Sequence, residues 1–517
     1  MNIGTLLPRH ARYRGDHTAV VFGETRLSYS QLNARVNRLA HGLKSAGVVK
    51  GDKVATVLPN CIELLELYWA TAKVGAVLVP ASTLLQPTGL ATLLRNSDTV
   101  MVFSTVRLLA TLNAVRREKT AVARSNWVLV DSADAEPTAV KRYRDYSGFV
   151  AGMSDEEPPE VPIDGDDPYN IIYSSGTTGE PKGIVHSHRV RGNYCTQFAA
   201  AWRMTPESVV LHAGSIVFNG AFLTLMPWMF MGCTYVLMPT FDAGTVVDAI
   251  KNEGVTHSIM VPSQIVELMA APRFTPRRLK TVEMLLSLGA PLHLEHKKRL
   301  MAALPGRFYE LYGITEGLMT VLDKFDAERK AGSVGASMPF GEIQIMDDRG
   351  KQMPVGEVGE ICGRGPMMMS GYYGRPELTD RTIVNGWLRS GDLGYLDADG
   401  YLYLVDRMKD MVVSGGVNVY PRDIEEIAVT HPDVRESCVF GVPDAKWGET
   451  PVGAVVPREG TDIDSKALLQ WINGRVEAKF QRLKEIVVLD DFPRNVAGKT
   501  LKREIRARYM GEHGLDD

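Results

Sequence analysis

The chain lacks an excess of charge of either sign. Its 517 residues include 58 Lys and Arg against 61 Asp and Glu, which gives a formal net charge of −3. Proteins that bind nucleic acid by neutralising phosphates need a basic surplus. We therefore expect no nucleic-acid partner.

Cysteine is also scarce. The five cysteines are scattered and never spaced as CxxC: Cys61, Cys195, Cys233, Cys362 and Cys438. This spacing argues against a zinc site and against a disulfide framework, and it fits a reducing compartment. We expect a cytoplasmic protein whose cysteines are small buried hydrophobic residues.

Long hydrophobic runs are missing as well. A membrane-spanning helix needs roughly 20 apolar residues, and the most apolar segment, residues 221–238, is interrupted by Pro227 and Gly232. That segment predicts a buried helix followed by a buried strand. The first 16 residues do not have the apolar centre of a secretory signal, so no integral membrane segment is expected.

What is present is a regular alternation of helical and strand patterns. Apolar residues recur at helical spacing over 32–43, with Ser28 or Ser30 as the cap, and again over 63–73. Short apolar runs follow each helix at 54–58 and 76–80. A similar alternation returns over 207–270 and predicts an α/β fold with a largely parallel sheet.

The composition and the apolar pattern change twice further along the chain. Residues 330–405 are rich in Gly and Pro with short alternating runs, which predicts a β-rich subdomain, and a second change near 406 introduces a small α+β unit. We predict an N-terminal domain over 1–407 and a mobile C-terminal domain over 408–517, with helices at 422–430 and 465–479. The acidic stretch 154–167 is predicted to be a solvated loop.

A cluster of small polar residues follows the predicted strand at 170–173. Ser174 to Gly179 place two glycines and four hydroxyls in six residues, with Lys182 three positions later. Glycine lets backbone N–H groups turn toward a polyanion, and hydroxyls add short donors. On composition alone, a phosphate site and a plain polar turn fit this cluster equally well.

The segment YSSGTTGEPKG at 173–183 closely resembles the phosphate-binding signature of the adenylate-forming superfamily, which includes acyl-CoA synthetases, peptide-synthetase adenylation domains and beetle luciferases. Further signatures follow in family order: YGITEG at 312–317, SGDLG at 390–394, DRMKDMVVSGG at 406–416 and PRNVAGK at 493–499. The resemblance covers essentially the whole chain. It implies two half-reactions, in which a carboxylate first reacts with MgATP to give an acyl-adenylate and a thiol then displaces AMP.

The resemblance also implies which residues contact ATP or AMP. These are Ser174, Ser175, Gly176, Thr177, Thr178, Gly179, Lys182, Gly289, Ala290, Pro291, Glu310, Leu311, Tyr312, Gly313, Thr315, Asp392, Leu404, Arg407 and Lys499. Among them Asp392 is expected to accept both ribose hydroxyls. Other roles exist for such residues, since an Asp often stabilises its own turn.

Catalysis is assigned by the same resemblance to Lys499, Thr315 and Glu316. A lysine ammonium beside the α-phosphate stabilises the transition state more than the ground state. Thr315 would donate to the α-phosphate, and Glu316 would hold Mg²⁺ as a hard oxygen ligand. Without the family signature, Lys499 would be read as one member of a solvated basic tail.

The acyl pocket is predicted from residues between the signatures: Phe218, Asn219, Phe222 and Leu223, with Leu288, Gly289 and Met319 opposite. Many relatives have a His where Phe218 stands, so a steric role is expected there. No carboxylate lies within 211–226 to pair with a substrate amine, which disfavours an amino acid. We expect a hydrophobic monocarboxylate, either medium-chain, aryl or alicyclic.

The acceptor thiol is predicted to be coenzyme A, because no carrier domain follows residue 517. Ser414, Gly415 and Gly416 would flank its tunnel, and Lys409 stands at the family's hinge position. At 478–482, AKFQR departs from the usual pattern and leaves the CoA contacts of that strip open. A stand-alone enzyme that loads a carrier protein is the closest alternative, and a non-catalytic nucleotide-binding protein is the alternative of another class. The sequence leaves the oligomeric state open, with a homodimer as one option.

Overall fold

The computed structural model describes residues 1–118, 120–134, 136–174, 181–444, 446–494 and 499–515. Within these ranges the chain forms four β-sheets. Two large sheets and a small one lie in the first 407 residues, and the fourth begins at Val412. The predicted α/β class is confirmed.

The first large sheet has nine strands and a parallel centre with antiparallel pairs at both ends. Its strands lie in the spatial order Ala336–Ser337, Met319–Leu322, Phe308–Gly313, Met284–Leu288, His257–Met260, Val209–His212, Thr234–Leu237, Thr18–Phe22 and Thr25–Ser28.

The second large sheet has eight strands and is parallel except at one end. Its order is Gly371–Tyr372, Lys182–Ser187, Pro168–Ser174, Val77–Ala81, Lys53–Val57, Thr99–Ser104, Trp127–Leu129 and Arg144–Asp145. The antiparallel pair of strands Pro168–Ser174 and Lys182–Ser187 flanks the predicted phosphate loop.

Two smaller sheets complete the chain. The third contains Glu342–Met346, Gly359–Arg364, Trp387–Leu396, Ile383–Val384 and Leu402–Arg407, all antiparallel. The fourth contains Val417–Val419, Val412–Ser414, Gly448–Pro457, Val434–Asp444 and Ile486–Val488. The β-rich character predicted for 330–405 is therefore present.

The α-helices are distributed over the whole chain. Their bounds are Leu6–Tyr13, Tyr29–Ser45, Ile62–Val74, Pro87–Asn96, Leu109–Val115, Pro137–Val140, Tyr146–Val150, His188–Ala201, Phe222–Met231, Ala243–Glu253, Pro262–Ala270, Leu294–Ala303, Pro376–Thr382, Pro421–Ala428, Ser465–Asn473 and Lys502–His513. No helix in the described part of the chain is long and apolar enough to cross a membrane.

The main core lies between the two large sheets. Helix Ile62–Val74 is buried on nearly all sides, and Trp69 and Tyr68 are fully inaccessible. Helix Phe222–Met231 packs beside it, with the Trp69 and Trp228 rings 6.1 Å apart. Because this helix is followed by strand Thr234–Leu237, the helix-then-strand prediction for 221–238 is confirmed.

Local sequence signals set several helix ends. Ser28, and not Ser30, caps helix Tyr29–Ser45 by accepting from the Gln31 backbone N–H, and the Gln31 side chain returns a bond to Ser28 N–H. The predicted helix over 465–479 is wrong in its second half. It ends at Asn473, because Gly474 follows and the Asn473 side chain bonds the Leu483 backbone instead.

The acidic stretch 154–167 is irregular but held in place. The Lys73 ammonium, 3% exposed, donates to Glu157 at 2.7 Å and to the Asn33 and Asn37 side chains. Lys50 donates to the Pro162 carbonyl at the other end. The segment is an exposed loop, as predicted, but the buried Lys73 and the exposed Lys50 fix it to the main domain.

Candidate active site

The strand pair around the phosphate signature ends at Ser174 and resumes at Lys182, and these two residues are direct partners in the antiparallel register. Ser175, Gly176, Thr177, Thr178 and Gly179 lie outside the described residues. The Lys182 ammonium lies 5.8 Å from the centre of the Tyr372 ring. A positive charge therefore stands at the base of the predicted phosphate site.

Three motifs that are distant in sequence meet at Asp392. The Tyr312 hydroxyl donates to Asp392 Oδ2 at 2.8 Å, and Arg407 Nε lies 3.5 Å from Asp392 Oδ1. Asp392 and Arg407 are also register partners of adjacent strands. Burial, and then the neighbouring carboxylate, raises the pKa of Tyr312 well above its usual value. Tyr312 therefore remains a neutral donor, and its hydrogen bond fixes the orientation of the Asp392 carboxylate.

Lys499 of the C-terminal unit faces this same cluster. Its electrostatic neighbours are Arg407, Asp392 and Lys409. Burial, followed by the positive charge of Arg407, lowers the pKa of Lys499 to about 8. The three cations Lys499, Arg407 and Lys409 near one carboxylate make the region receptive to a polyanion.

The turn that contains Thr315 and Glu316 is braced from two sides. The Thr315 carbonyl lies 2.9 Å from His186 Nε2, and the Glu316 carboxylate accepts from the Tyr372 hydroxyl at 2.8 Å. Gly317 has φ +113°, and a Cβ there would lie 2.1 Å from the Met367 carbonyl oxygen. Only glycine fits this position, so the turn places both functional side chains with little freedom.

Most of the remaining predicted nucleotide residues lie on or just after two adjacent parallel strands. Gly289 follows strand Met284–Leu288 at φ +90°, with Ala290 and Pro291 after it, and strand Phe308–Gly313 contains Leu311 and ends at Gly313. Leu404 lies apart from them, within strand Leu402–Arg407 of the third sheet. Glu310 differs from them, because its carboxylate is buried in an ion pair with Lys297, so its side chain stabilises the fold.

The predicted acyl pocket residues surround the start of helix Phe222–Met231. Phe218 is half-buried, whereas Phe222 and Leu223 are buried in the main core. Asn219 uses its whole amide internally, since it accepts from Arg191 and donates to the Tyr194 hydroxyl. Met319 is buried at the start of strand Met319–Leu322, and Leu288 is half-buried at the end of strand Met284–Leu288. A Cβ on Gly220 would come within 2.8 Å of Leu288 Cδ1. The two sides of the predicted pocket are therefore adjacent.

The predicted CoA residues form a hairpin on the C-terminal unit. Ser414 is buried, and Gly415 and Gly416 connect the two strands at φ +60° and +81°. Two consecutive positive φ values are what a two-residue hairpin turn requires. The Gly415 N–H donates to the Trp447 carbonyl at 2.7 Å, and the Trp447 side chain is exposed. Lys409, at the predicted hinge, is exposed in a turn closed by a bond from Met411 N–H to the Arg407 carbonyl.

The C-terminal unit docks on the large domain through Glu426. Its carboxylate lies 3.1 Å from His293 Nδ1 and accepts from the Leu294 N–H at 3.2 Å. Burial opposes ionisation here, but the His293 contact outweighs it and lowers the pKa of Glu426 to about 2. Arg422 adds a bond from its Nη1 to the Leu404 carbonyl at 2.9 Å. These contacts hold Lys499 at the large domain.

Sequence reasoning missed Tyr372 and His186, which position Glu316 and Thr315. Both come to the turn because strand Gly371–Tyr372 pairs with strand Lys182–Ser187. That pairing spans about 190 residues and has no local signature, although the GYYG run at 371–374 was a visible signal.

No group of three or more His, Cys, Asp or Glu that could hold a metal ion exists in the described part of the chain. Glu316 still fits the predicted Mg²⁺ role, since Mg²⁺ is commonly held by one carboxylate together with substrate phosphates. Its carboxylate is already oriented by Tyr372.

Comparison with known proteins places the chain in a family. The model of the AMP-binding enzyme family matches residues 7–373, and that of the AMP-binding enzyme C-terminal domain matches 423–499. Feruloyl-CoA synthase of an Amycolatopsis species is 34% identical over 510 residues, which cover 98% of this chain and 99% of that protein. The long-chain-fatty-acid–CoA ligase of Mycobacterium tuberculosis is 33% identical over 513 residues, covering 98% of each.

Among solved structures, ATP-bound MatB from Rhodopseudomonas palustris superposes with a TM-score of 0.86 at 29% identity, covering 98% of this chain and 99% of that one. The match extends over both the large domain and the C-terminal unit. The chain therefore belongs to the AMP-binding enzyme family, within the adenylate-forming superfamily that its motifs predict, and is an acid–thiol ligase.

Proposed function

We propose that the enzyme activates a hydrophobic carboxylic acid with ATP through an acyl-adenylate and then transfers the acyl group to coenzyme A. The observation that supports this most directly is the convergence of Tyr312, Asp392, Arg407 and Lys499. These residues come from four separate motifs and two structural units. A fold that needed only stability would have no reason to bury a lysine beside an arginine.

In the first step, a carboxylate oxygen of the acid attacks the α-phosphorus of ATP, and the bond to the bridging oxygen breaks to release pyrophosphate. Asp392 would accept the ribose hydroxyls, because Tyr312 already orients it. Lys499 and Thr315 would stabilise negative charge that builds on the α-phosphate. Mg²⁺ held by Glu316 would screen the phosphate charges when bound.

In the second step, the thiolate of CoA attacks the acyl carbonyl, and AMP leaves with the bonding electrons. Ser414, Gly415 and Gly416 would border the path of the thiol once the C-terminal unit has turned about Lys409. Such turning needs only a few backbone dihedral changes at the hinge.

The substrate pocket supports an acid that is mostly apolar. Phe218 and Leu288 offer partly exposed aromatic and aliphatic surface, and Phe222 and Met319 are buried in the same core cluster. Medium-chain, aryl and alicyclic acids all meet this requirement. One methylene changes discrimination by only about 1–3 kcal/mol, so the panel of acids has to be tested directly.

The experiment is a pyrophosphate-release screen over fatty, aryl and alicyclic acids, followed by measurement of CoA-dependent AMP release. We expect release that requires both ATP and the acid, and a thioester product with CoA. The enzyme could instead form the adenylate but no CoA thioester, and transfer the acyl group to a phosphopantetheinylated carrier protein. That result would make the carrier protein, and not CoA, the acceptor. Nucleotide binding without any release would contradict the proposed enzyme activity, and it would favour the non-catalytic alternative despite the presence of Lys499, Glu316 and Asp392.

A further inference from the structure

Arg191, on helix His188–Ala201, is a fully buried arginine without an acidic partner. Its residue exposure is 0%. Among the described residues no carboxylate forms an ion pair with it, and the titratable groups around it include three buried tyrosines, Tyr194, Tyr169 and Tyr68, which burial keeps neutral. Burial lowers the pKa of Arg191, but the guanidinium remains a cation in any accessible pH range.

Two of its nitrogens are fixed by neutral amides. Nε donates to Asn170 Oδ1 at 3.0 Å, and Nη1 donates to Asn219 Oδ1 at 2.9 Å. The guanidinium lies 3.9 Å from the centre of the Phe222 ring and 4.7 Å from that of Tyr194. Its position is therefore fixed, and the negative potential near it comes from two neutral amide oxygens and from aromatic faces.

The third nitrogen, Nη2, is buried and has no hydrogen-bond partner within the described ranges. The same holds for Asn170 Nδ2 and for His186 Nδ1. Asn170 and His186 are direct register partners of the antiparallel strand pair, so their side chains lie on the same face of the sheet. His186 Nε2 faces the Thr315 carbonyl and therefore carries the ring proton, so Nδ1 of the neutral ring is an acceptor. Buried polar groups in native proteins nearly always have partners, so the two unpartnered donors, Arg191 Nη2 and Asn170 Nδ2, indicate a missing acceptor.

This cluster lies between the reaction centre and the predicted acyl pocket. His186 contacts the Thr315 carbonyl on one side, and Arg191 contacts Asn219 and Phe222 on the other. The guanidinium therefore lies next to two residues predicted to line the pocket. A buried cation that has neutral acceptors but no anionic partner is unfavourable, and an oxygen of a bound acid can provide the acceptor that Nη2 lacks.

We propose that the acid activated by this enzyme has a hydrogen-bond-accepting oxygen remote from its reacting carboxylate, and that Arg191 Nη2 together with Asn170 Nδ2 receives that oxygen. The inference rests on the proposed function and refines its substrate class. The acid is apolar along most of its length but oxygenated at one point. A second carboxylate and a neutral hydroxyl share this acceptor chemistry.

The test compares acids that differ only at the remote position. One series consists of 4-methyl-, 4-hydroxy- and 4-carboxy-substituted aryl acids, and the other of octanoate, 8-hydroxyoctanoate and octanedioate. We expect kcat/KM for pyrophosphate release to favour an oxygenated member over its methyl counterpart by roughly 10- to 100-fold, the range of one charge-assisted hydrogen bond. Preference for the carboxy acid identifies an anionic group, and preference for the hydroxy acid identifies a neutral one.

Two variants test the residue itself. In Arg191→Met the ratio between the oxygenated and methyl acids should fall toward one, whereas Arg191→Lys should keep part of it. Asn170→Asp supplies an anion from the protein, so it should raise the melting temperature and also remove the preference for an oxygenated acid. This second variant keeps the test decisive if Arg191→Met does not fold.

Equal turnover of methyl and oxygenated acids by the unmodified enzyme would overturn the inference and leave the proposed function in place. A ratio unchanged in both Arg191→Met and Asn170→Asp would also overturn it and make Arg191 a residue of the core. If no acid of either series supports pyrophosphate release, the proposed function and the inference are both overturned.

Discussion

The two sides of the C-terminal unit differ in how complete their surroundings are. On one side Lys499 is buried near Asp392 and Arg407, and Glu426 fixes the unit to His293. On the other side the Gly415–Gly416 turn is exposed to solvent. The first set of residues forms one buried cluster, whereas the turn faces solvent in the part of the chain that the structure describes.

Under the proposed function, the arrangement of the two units seen here would serve the first half-reaction. The residues proposed for adenylation meet without any movement. The residues predicted to border the CoA path would have to be carried to the acyl-adenylate by rotation about the hinge near Lys409. Variants on the two sides should therefore damage different half-reactions, and each prediction below tests that separation.

The largest effect is expected from Lys499→Ala. Loss of a preorganised charge at the developing phosphate oxyanion should slow adenylation by about 10²–10³. Thioester formation from preformed acyl-adenylate and CoA should be largely kept. The two half-reactions are measured separately, by pyrophosphate release and by AMP release. Equal damage to both would contradict the assignment of Lys499 to the first step alone.

The pH dependence of adenylation gives a related but smaller effect. The Lys499 ammonium is the required form, and its pKa in the free enzyme is about 8. Because the ammonium is lost as pH rises through that value, kcat/KM for ATP should fall by about tenfold for each pH unit above it. Lys499→Arg remains charged, so whatever activity it keeps should show no such decline. A decline that persists in the arginine variant would point to another group.

How far the sequence predicted this site depends on the kind of contact. The motif residues Tyr312, Asp392 and Lys499 were identified by signature, and the structure brings them together. Tyr372 and Arg191 were not identified, because their importance comes from strand pairing and burial rather than from a local pattern. A buried arginine on an amphipathic helix cannot be distinguished in sequence from an exposed one.

At the exposed Gly415–Gly416 turn, Gly415→Ala is expected to slow the thioester step by roughly tenfold. A Cβ there would lie 2.8 Å from the Trp447 ring, and the backbone is at φ +60°. Displacing the ring would distort the turn, and adenylation should be unaffected. The assay is CoA-dependent AMP release from preformed acyl-adenylate.

Gly416→Ala is the matched control. It also has a positive φ, +81°, but its Cβ would meet no atom within 4 Å. Backbone strain of about 1–2 kcal/mol is common to both variants, so only the Trp447 contact distinguishes them. Equal effects of the two substitutions would show that strain, and not the ring, is responsible.

The smallest effect is expected at the contact between the units. Glu426→Gln removes the charge that faces His293, and a partly exposed pair of this kind contributes about 1 kcal/mol or less. Adenylation should slow by a few-fold, because the docked arrangement becomes less populated. A double-mutant cycle with His293→Gln measures the coupling. Coupling of zero would mean that other contacts hold the units together.

The fold itself was predictable where periodicity is strong and local. The capped helix that begins at Tyr29 and the helix–strand pair in 221–238 followed from spacing and caps. The end of the helix predicted over 465–479 did not, because Asn473 finds a partner in Leu483, ten residues away. Local periodicity does not indicate this side-chain bond, because the bond depends on where the chain places Leu483.

The acidic connection at 154–167 has a consequence for how the protein responds to proteases. It is an irregular segment with exposed Pro, Asp and Glu residues, a type of site where cleavage is normally frequent. Cleavage requires a segment to detach and extend into the protease, and here detachment would strip the buried Lys73 of Glu157. The acidic stretch should therefore resist proteolytic cleavage while the core stays folded. In Lys73→Met the segment should detach more easily, and limited proteolysis should then cut the chain within 154–167, just ahead of the phosphate signature.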